Sequence, residues 1–194
     1  MSRRVAIFGG SFDPPHNAHL ALARTAREAL MLDAVHWIPA GQPWQKTRVM
    51  TPAAHREAMV QLAIDGEPGQ LLDRIEIERS GLSMTLDTVE ALRAQHPGTE
   101  WVLLIGGDQY ANLHTWRGWQ RLLDLTLLAV AQRPGERPPP DAAVQRHPHS
   151  AVPLPMLDIS STDIRDRVAR GERIDALVPP AVARYIEHHN LYRD

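Results

Sequence analysis

Residues 5–10 read Val5-Ala6-Ile7-Phe8-Gly9-Gly10, a short apolar run that ends in two glycines. A run of this length predicts a buried strand, and the paired glycines predict a tight turn directly after it. A helical pattern follows over residues 17–31, and a second apolar run at Ala34–Ile38 ends at Pro39. Strand, helix and strand in this order predict a right-handed crossover and parallel pairing of the two strands.

The alternation of strands and helices continues along most of the chain. Leu72–Glu78 alternates apolar and charged residues, which predicts a strand with one solvent-exposed face. A proline-rich surface loop is predicted at residues 133–141. The other predicted elements are helices at Pro52–Asp65, Thr85–Gln95, Trp116–Leu123, Ser160–Arg170 and Pro180–His189, and strands at Trp101–Ile105 and Leu125–Ala131. We therefore expect one doubly wound, Rossmann-like α/β domain over residues 1–194, with a mainly parallel sheet and C-terminal helices.

The composition excludes several classes of protein. Lys and Arg number 21 against 23 Asp and Glu, for a formal net charge of -2, whereas nucleic-acid-binding domains usually carry a basic surplus. Cysteine is absent, which excludes a disulfide framework, a thiol nucleophile and a thiolate metal site. No stretch approaches the ~20 apolar residues needed to span a bilayer, and the N-terminal residues lack the apolar region of a signal peptide. We expect a cytoplasmic protein with no nucleic-acid or membrane partner.

The first candidate site is the segment that follows the first predicted strand, Gly9-Gly10-Ser11-Phe12-Asp13-Pro14-Pro15-His16-Asn17-Ala18-His19-Leu20. Two glycines at a strand end let the backbone approach a ligand closely. His16 and His19 are three residues apart, so they share one face of the first helical turn, where the helix dipole favours a phosphate. Two alternatives remain at this point: a plain strand–turn–helix with exposed histidines, and a zinc site that would need a third ligand.

This segment resembles the signature of the nucleotidyltransferase superfamily, G-x-F-D-P-x-H-x-G-H, with Ala18 in place of the usual glycine. The resemblance implies transfer of an adenylyl or cytidylyl group, with both histidines on the triphosphate. It also implies that the residues of the turn contact ATP, namely Gly9, Gly10, Ser11 and Phe12.

The second candidate site is Ile159-Ser160-Ser161-Thr162-Asp163-Ile164-Arg165. Ser160 and Asp163 have the spacing of a capping box, and the free amides and hydroxyls of such a helix start suit a phosphate. An ordinary capped helix with a solvated Arg165 is the alternative. The stretch is similar to the superfamily's second signature, I-S-S-T-x-I-R, which implies that Ser161 and Thr162 bind ATP and that Arg165 contacts the triphosphate.

Further stretches resemble bacterial nicotinate-nucleotide adenylyltransferases in particular. Lys46 stands in a loop that keeps the family's basic residue, although Trp44-Gln45 replaces its proline–histidine pair. Ser83-Met84-Thr85 is similar to the family's S-Y-T, with Met84 in place of tyrosine, and Thr85 is predicted to cap the following helix. The resemblance implies a phosphate contact for Lys46 and a pyridine-nucleotide contact for Thr85. A solvated loop lysine and a purely structural cap are the alternatives.

Three more residues match that family on the side of the second substrate. Asp108, in Gly106-Gly107-Asp108, is implied to accept from sugar hydroxyls, and Trp116 is implied to cover the pyridine ring. Arg133 is implied to be a cation on the substrate side. A local turn bond, a core tryptophan and a surface arginine are the respective alternatives. The C-terminal residues from Tyr185 to Arg193 also resemble the family, so the resemblance runs nearly end to end.

The resemblance implies a reaction of NAD biosynthesis, in which ATP and nicotinate mononucleotide give nicotinate adenine dinucleotide and pyrophosphate. It assigns His16, His19, Lys46 and Arg165 to catalysis and implies a Mg²⁺ ion held mainly by the ATP phosphates. The remaining alternatives are another adenylyltransferase of the superfamily, such as a phosphopantetheine adenylyltransferase, a homologue that prefers nicotinamide, and a non-catalytic nucleotide-binding domain. The sequence leaves the oligomeric state open.

Overall fold

The computed structural model describes residues 3–42, 50–132, 140–153 and 157–193. The strands of this part of the chain form one parallel sheet in the order β3-β2-β1-β4-β5-β6. They are β1 (Arg4–Gly10), β2 (Ala34–Pro39), β3 (Gln70–Leu72), β4 (Glu100–Gly106), β5 (Leu127–Gln132) and β6 (His149–Pro153). This is the order of a doubly wound nucleotide-binding sheet, which confirms the predicted fold class.

Helices cover both faces of the sheet. They are α1 (Asn17–Ala29), α2 (Ala53–Ile64), α3 (Ile75–Glu78), α4 (Thr85–Gln95), α5 (Gly107–Ala111), α6 (Trp119–Leu125), α7 (Ala142–Gln145), α8 (Ser161–Ala169) and α9 (Pro180–His188), with a 3₁₀ turn at Leu113–Thr115. In the described ranges, none of these helices has the length and apolarity that crossing a membrane requires.

Strand β1 shows how the core is divided between the two faces. Successive side chains of a strand point to opposite faces, so Ala6 and Phe8 pack with α1 while Val5 and Ile7 pack with α4 and α6. The strand is therefore apolar at every interior position, as the sequence pattern requires for a sheet that is covered on both sides. A third apolar cluster joins α2, α8 and α9.

The prediction of a strand over Leu72–Glu78 is wrong beyond its first residue. Strand β3 ends at Leu72, and the Asp73 Oδ1 then accepts a hydrogen bond from the Ile75 amide at 3.0 Å. This side-chain turn starts the short helix α3, whose Glu76 is buried although the alternating pattern predicted a wet position for it. Local turn chemistry at Asp73 overrides the alternation.

The prediction of a helix over Trp116–Leu123 is partly wrong. Trp116 follows the 3₁₀ turn, and α6 begins only at Trp119, because Gly118 adopts a left-handed φ of 65° between them. A Cβ at Gly118 would lie 2.5 Å from the Leu86 Cδ2, which is the end of a flexible side chain, so the turn needs glycine for its backbone angle.

Strand β6 was not predicted. Its residues are mostly exposed and occupy one edge of the sheet, so they lack the apolar run by which the interior strands are recognised. Most of the predicted loop at residues 133–141 lies outside the described residues.

Candidate active site

A cavity of about 510 Å³ opens at the carboxyl ends of β1 and β4. The sheet order reverses between these two strands, and this is where doubly wound sheets bind ligands. The cavity has the size of a small-molecule site. Its lining includes predicted site residues from distant parts of the chain, namely Gly9, Gly10, Ser11, Phe12, His16, His19, Thr85, Asp108, Trp116 and Ser161.

The two predicted turn glycines are the last residues of β1 rather than a turn after it, and the first of them leaves room for a ligand. A Cβ built on Gly9 meets no protein atom within 4 Å, although Gly9 lines the cavity. Phe12 takes a left-handed φ of 47° and turns its ring into the core, where it packs edge-on against Phe8 and His19 with centroids 5.4 and 5.2 Å away. The Phe12 ring therefore packs next to Gly10, while the space beside Gly9 is open.

The two histidines lie face to face at the start of α1. Their rings stack with centroids 3.6 Å apart, and the His16 backbone N–H donates to the His19 Nδ1 at 3.2 Å. Because a backbone amide can only donate, the His19 Nδ1 must carry a lone pair. Neutral His19 therefore holds its proton on Nε2, and this N–H is a donor of the kind that phosphate oxygens accept.

Arg56 ties together three backbone segments beside the cavity. Its guanidinium donates to the carbonyl oxygens of Ser11 at 3.0 Å, Thr51 at 2.9 Å and Gly41 at 3.3 Å. It is 1% exposed, within the apolar face of α2. The sequence analysis missed Arg56, but a signal was present, since it stands in helical register with the core residues Met59, Val60 and Ala63.

The second signature also contacts the first. Ser160 caps α8 by accepting from the Asp163 amide at 3.1 Å, as predicted. The Ser161 hydroxyl donates to the Pro14 carbonyl at 2.9 Å, and the Arg165 guanidinium donates to the Asp13 carbonyl at 2.8 Å. Three residues of the second signature line the cavity, namely Ile159, Ser160 and Ser161. The segment thus holds the loop of the first signature in place.

Arg165 and Thr162 do not line the cavity. Arg165 donates to the Thr162 hydroxyl at 3.0 Å, in addition to its bond with the Asp13 carbonyl. The first of these bonds holds the guanidinium against the loop of the first signature. Direct contact of Arg165 and Thr162 with ATP stays a prediction.

The opposite wall of the cavity is formed by α4, α5 and the turn before α6. Thr85 is the first residue of α4, and Met84 precedes it as the N-cap, so the prediction that Thr85 caps the helix is wrong by one position. Met84 has no side-chain oxygen, which leaves the first amides of α4 without a cap from it. Asp108 is exposed in the first turn of α5, and Trp116 is half-buried. Trp116 both packs against the core and lines the cavity.

Glu76 is a cavity residue that the sequence analysis did not identify. It is 7% exposed, and its Oε1 accepts from the Thr88 hydroxyl at 2.8 Å. Burial raises the pKa of the Glu76 carboxyl, while hydrogen bonds from Thr88 and Ser83 and the charge of Arg79 oppose that rise. A buried carboxyl with a raised pKa therefore lies beside the start of α4.

The raised pKa of Glu76 predicts a pH-dependent effect of Glu76→Gln on stability. A group whose pKa is higher in the folded state stabilises the fold below its unfolded pKa, and this contribution is lost as the pH rises through the folded value. Glutamine cannot ionise. We therefore expect the melting temperature of Glu76→Gln, relative to that of the wild type, to rise as the pH increases from about 4 to about 8. Thermal melts followed by circular dichroism measure this, with Glu78→Gln, at an exposed position, as the control. A pH-independent difference would contradict the assignment.

Two predicted site residues, Lys46 and Arg133, lie outside the described residues. Within the ranges that the structure describes, no group of three or more His, Asp or Glu side chains is placed to hold a metal ion.

The sheet order and the glycine–histidine loop at its switch point define a nucleotidyltransferase type of α/β protein. The sequence model of the cytidylyltransferase-like family matches residues 7–167. A "Probable nicotinate-nucleotide adenylyltransferase" of Methylibium petroleiphilum is 47% identical over 196 residues, covering 98% of this chain and 92% of the relative. The protein of the same name from Bordetella petrii is 47% identical over 197 residues, covering 98% of this chain and 100% of the relative. The chain therefore belongs to the nicotinate-nucleotide adenylyltransferase family of enzymes.

A solved structure supports the fold. The nicotinic acid mononucleotide adenylyltransferase of Plasmodium falciparum, complexed with NaAD, superimposes with a TM-score of 0.83 and covers 98% of this chain and 97% of its own. The two are 21% identical in sequence, so the likeness concerns the fold.

Proposed function

We propose that this protein transfers the adenylyl group of ATP to the phosphate of nicotinate mononucleotide, forming nicotinate adenine dinucleotide and pyrophosphate. The observation that carries the proposal is that one cavity, at the carboxyl ends of β1 and β4, brings the assigned residues together. It joins the glycine turn and both histidines on one side to Thr85, Asp108 and Trp116 on the other. Relatives of 40–47% identity bear the name of this activity, and they match 98–100% of the chain.

The triphosphate of ATP belongs at the side of the histidines. His19 is assigned to the α-phosphate through its Nε2–H, and His16 to the β- and γ-phosphates or their bridging oxygen. The open space at Gly9 lets the nucleotide approach the backbone of the turn. The other residues assigned to ATP are Gly10, Ser11, Phe12, Ser161 and Thr162, with Lys46 and Arg165 as cations for the triphosphate.

The chemistry requires positioning more than proton transfer. A phosphate oxygen of the mononucleotide forms a bond to the α-phosphorus, and the bond from that phosphorus to the α–β bridging oxygen breaks, so that pyrophosphate leaves. The attacking phosphate is ionised at neutral pH, so no general base is needed. Donors that meet the charge on the α-phosphate and the leaving pyrophosphate therefore lower the barrier.

Mg²⁺ enters the proposal as the counter-ion of ATP. Its ligands would be phosphate oxygens and water, because the described residues offer no cluster of carboxylates that would fit it. No step of the reaction is assigned to the ion.

The pyridine nucleotide belongs at the opposite wall. Trp116 is assigned to stack on the ring, the first amides of α4 at Thr85 to bind its carboxylate, and Asp108 to accept from sugar hydroxyls; all three residues line the cavity. Arg133 is assigned as a cation on this side.

Trp116→Ala is expected to raise the KM for nicotinate mononucleotide several-fold and to leave the KM for ATP unchanged. Stacking on a flat heterocycle contributes roughly 0.5–1.5 kcal/mol beyond burial, which sets this scale. Steady-state kinetics with each substrate varied in turn measure the effect. Trp119→Ala is the matched control, because Trp119 packs against the same apolar cluster and is not among the residues that line the cavity. Equal changes in the two variants would assign Trp116 to packing alone.

The proposed reaction is tested by identifying its products. The protein is incubated with ATP, Mg²⁺ and either nicotinate or nicotinamide mononucleotide, and the products are identified by mass spectrometry. We expect nicotinate adenine dinucleotide and pyrophosphate from the first mixture. Release of no pyrophosphate from either mixture would contradict the proposal and favour a nucleotide-binding domain without this activity.

A further inference from the structure

The chain reverses direction directly after α9. Asn190 adopts a left-handed φ of 50°, and its amide donates to the Glu187 carbonyl at 3.1 Å. The Leu191 amide donates to the Ile186 carbonyl at 3.0 Å, which completes the pair of bonds that defines a Schellman motif. Asparagine is one of the few residues that tolerate this backbone angle, so the reversal is built into the local sequence. It brings Tyr192 back toward the sheet.

After this reversal, the side chain of Tyr192 contacts a buried carboxylate, that of Asp13. Its hydroxyl donates to the Asp13 Oδ1 at 2.7 Å, across 179 residues of sequence. Asp13 is 0% exposed, and its Oδ2 accepts from the Thr51 amide at 3.4 Å. Burial and the neighbouring charge of Asp13 raise the pKa of the Tyr192 hydroxyl, which favours its role as a proton donor.

Asp13 lies in the middle of the loop that joins β1 to α1. Pro14 and Pro15 follow it, and neither has a backbone N–H with which the loop could bond to itself. The loop takes its hydrogen bonds from distant donors instead: Arg56 on the Ser11 carbonyl, Arg165 on the Asp13 carbonyl, Ser161 on the Pro14 carbonyl and Tyr192 on the Asp13 side chain. The histidine pair follows this loop directly, so the position of the loop is transmitted to His16 and His19.

We propose that Tyr192 is a positioning residue for the adenylyl transfer: its hydroxyl holds Asp13, and thereby keeps the loop of residues 11–16 where His16 and His19 meet the phosphates of ATP. The kinetic part of this inference rests on the proposed function. Displacing a reacting group by about 1 Å is enough to slow a reaction substantially, so one hydrogen bond on this loop has a catalytic consequence.

Tyr192→Phe tests the inference, with Tyr185→Phe as the matched control. Tyr185 belongs to the same C-terminal segment and apolar cluster, but its hydroxyl bonds to the His55 Nδ1 at 2.9 Å, away from the loop. Each variant removes one hydroxyl and keeps the ring. We expect Tyr192→Phe to lower kcat about tenfold, which corresponds to about 1.4 kcal/mol of activation free energy, while Tyr185→Phe stays near the wild type. A merely structural role would lower the melting temperature in both variants without this difference in kcat.

Hydrogen exchange supplies a readout that does not depend on the reaction. We expect the amides of residues 11–20 to exchange faster in Tyr192→Phe than in the wild type or Tyr185→Phe, in the absence of substrate. If the wild type forms no nicotinate adenine dinucleotide, the proposed function fails, and the exchange rates still decide whether Tyr192 holds the loop. Wild-type exchange and wild-type kcat in Tyr192→Phe would overturn the inference.

A second comparison, in the variant Asp13→Asn, covers the case in which loss of the Tyr192 hydrogen bond to the Asp13 carboxylate prevents Tyr192→Phe from folding. The same comparison is then made in Asp13→Asn, whose amide oxygen still accepts a hydrogen bond from Tyr192 and whose side chain carries no charge to bury. Faster exchange of the loop after removal of the hydroxyl in this background supports the inference. An unchanged exchange rate overturns it.

Discussion

His19→Ala is expected to lower kcat by about 10²–10³-fold and to leave the protein folded, because it removes one donor from the transition state. The hydrogen bond from the His16 amide to the His19 Nδ1 directs the proton of the neutral ring to Nε2, so alanine deletes a donor of defined position. Steady-state kinetics at saturating ATP and nicotinate mononucleotide measure the loss, and circular dichroism measures the fold.

Two further variants separate the donor from the ring. His19→Gln keeps an amide N–H in place of the ring donor and is expected to retain more turnover than His19→Ala. His96→Ala removes an exposed histidine at the other end of α4 from Thr85 and is expected to turn over like the wild type. Near wild-type kcat in His19→Ala would refute its contact with the α-phosphate.

The enzyme is expected to prefer nicotinate over nicotinamide mononucleotide by about 10²-fold or more in kcat/KM. The two substituents have nearly the same shape, so charge and hydrogen bonding must discriminate between them. The first amides of α4 receive no side-chain cap from Met84, and they suit a carboxylate that only accepts. A carboxamide would bring its own donors to these amides, and each buried donor left unpaired costs ~1–3 kcal/mol.

Glu76 is the structural feature that bears most directly on this preference. The sequence places no acidic residue between Ser83 and Leu86, and Asp87 is exposed in the structure. Glu76, from α3, nevertheless lines the same cavity as Ser83 and Thr85. A charged carboxylate there would favour the carboxamide, and the burial that raises the pKa of Glu76 disfavours its charged form relative to that of an exposed carboxyl.

The preference is measured as the ratio of kcat/KM for the two mononucleotides at one pH and one salt concentration. Glu76→Gln serves as a variant that cannot ionise, and we expect it to keep the preference or to increase it at high pH. Parity between the two mononucleotides in the wild type, or a preference for nicotinamide, would refute the assignment of the α4 amides to the pyridine carboxylate.

The features that were predictable from the sequence depend on residues close together in the chain. The apolar strand at residues 5–8, the bounds of α4 at Thr85–Gln95 and the Ser160 cap of α8 all follow from local patterns, whereas the turn predicted at Gly9-Gly10 begins only after Gly10. The placement of His16 and His19 on one turn likewise follows from their spacing. The doubly wound, mainly parallel character of the sheet follows from the alternation of strands and helices, because such alternation permits few crossovers.

The tertiary structure alone decided which distant groups support the site. In the sequence, Glu76 lies in an alternating stretch that predicts a solvent-exposed position, Arg56 lies within the predicted helix Pro52–Asp65, and Tyr192 follows the predicted helix Pro180–His189. All three act through partners 12 to 179 residues away: Thr88 for Glu76, Ser11 for Arg56 and Asp13 for Tyr192. A buried polar group must find a hydrogen-bond partner, but which partner it finds depends on how whole elements pack. Local patterns therefore predict the loop that meets the phosphates, while packing determines what holds that loop in place.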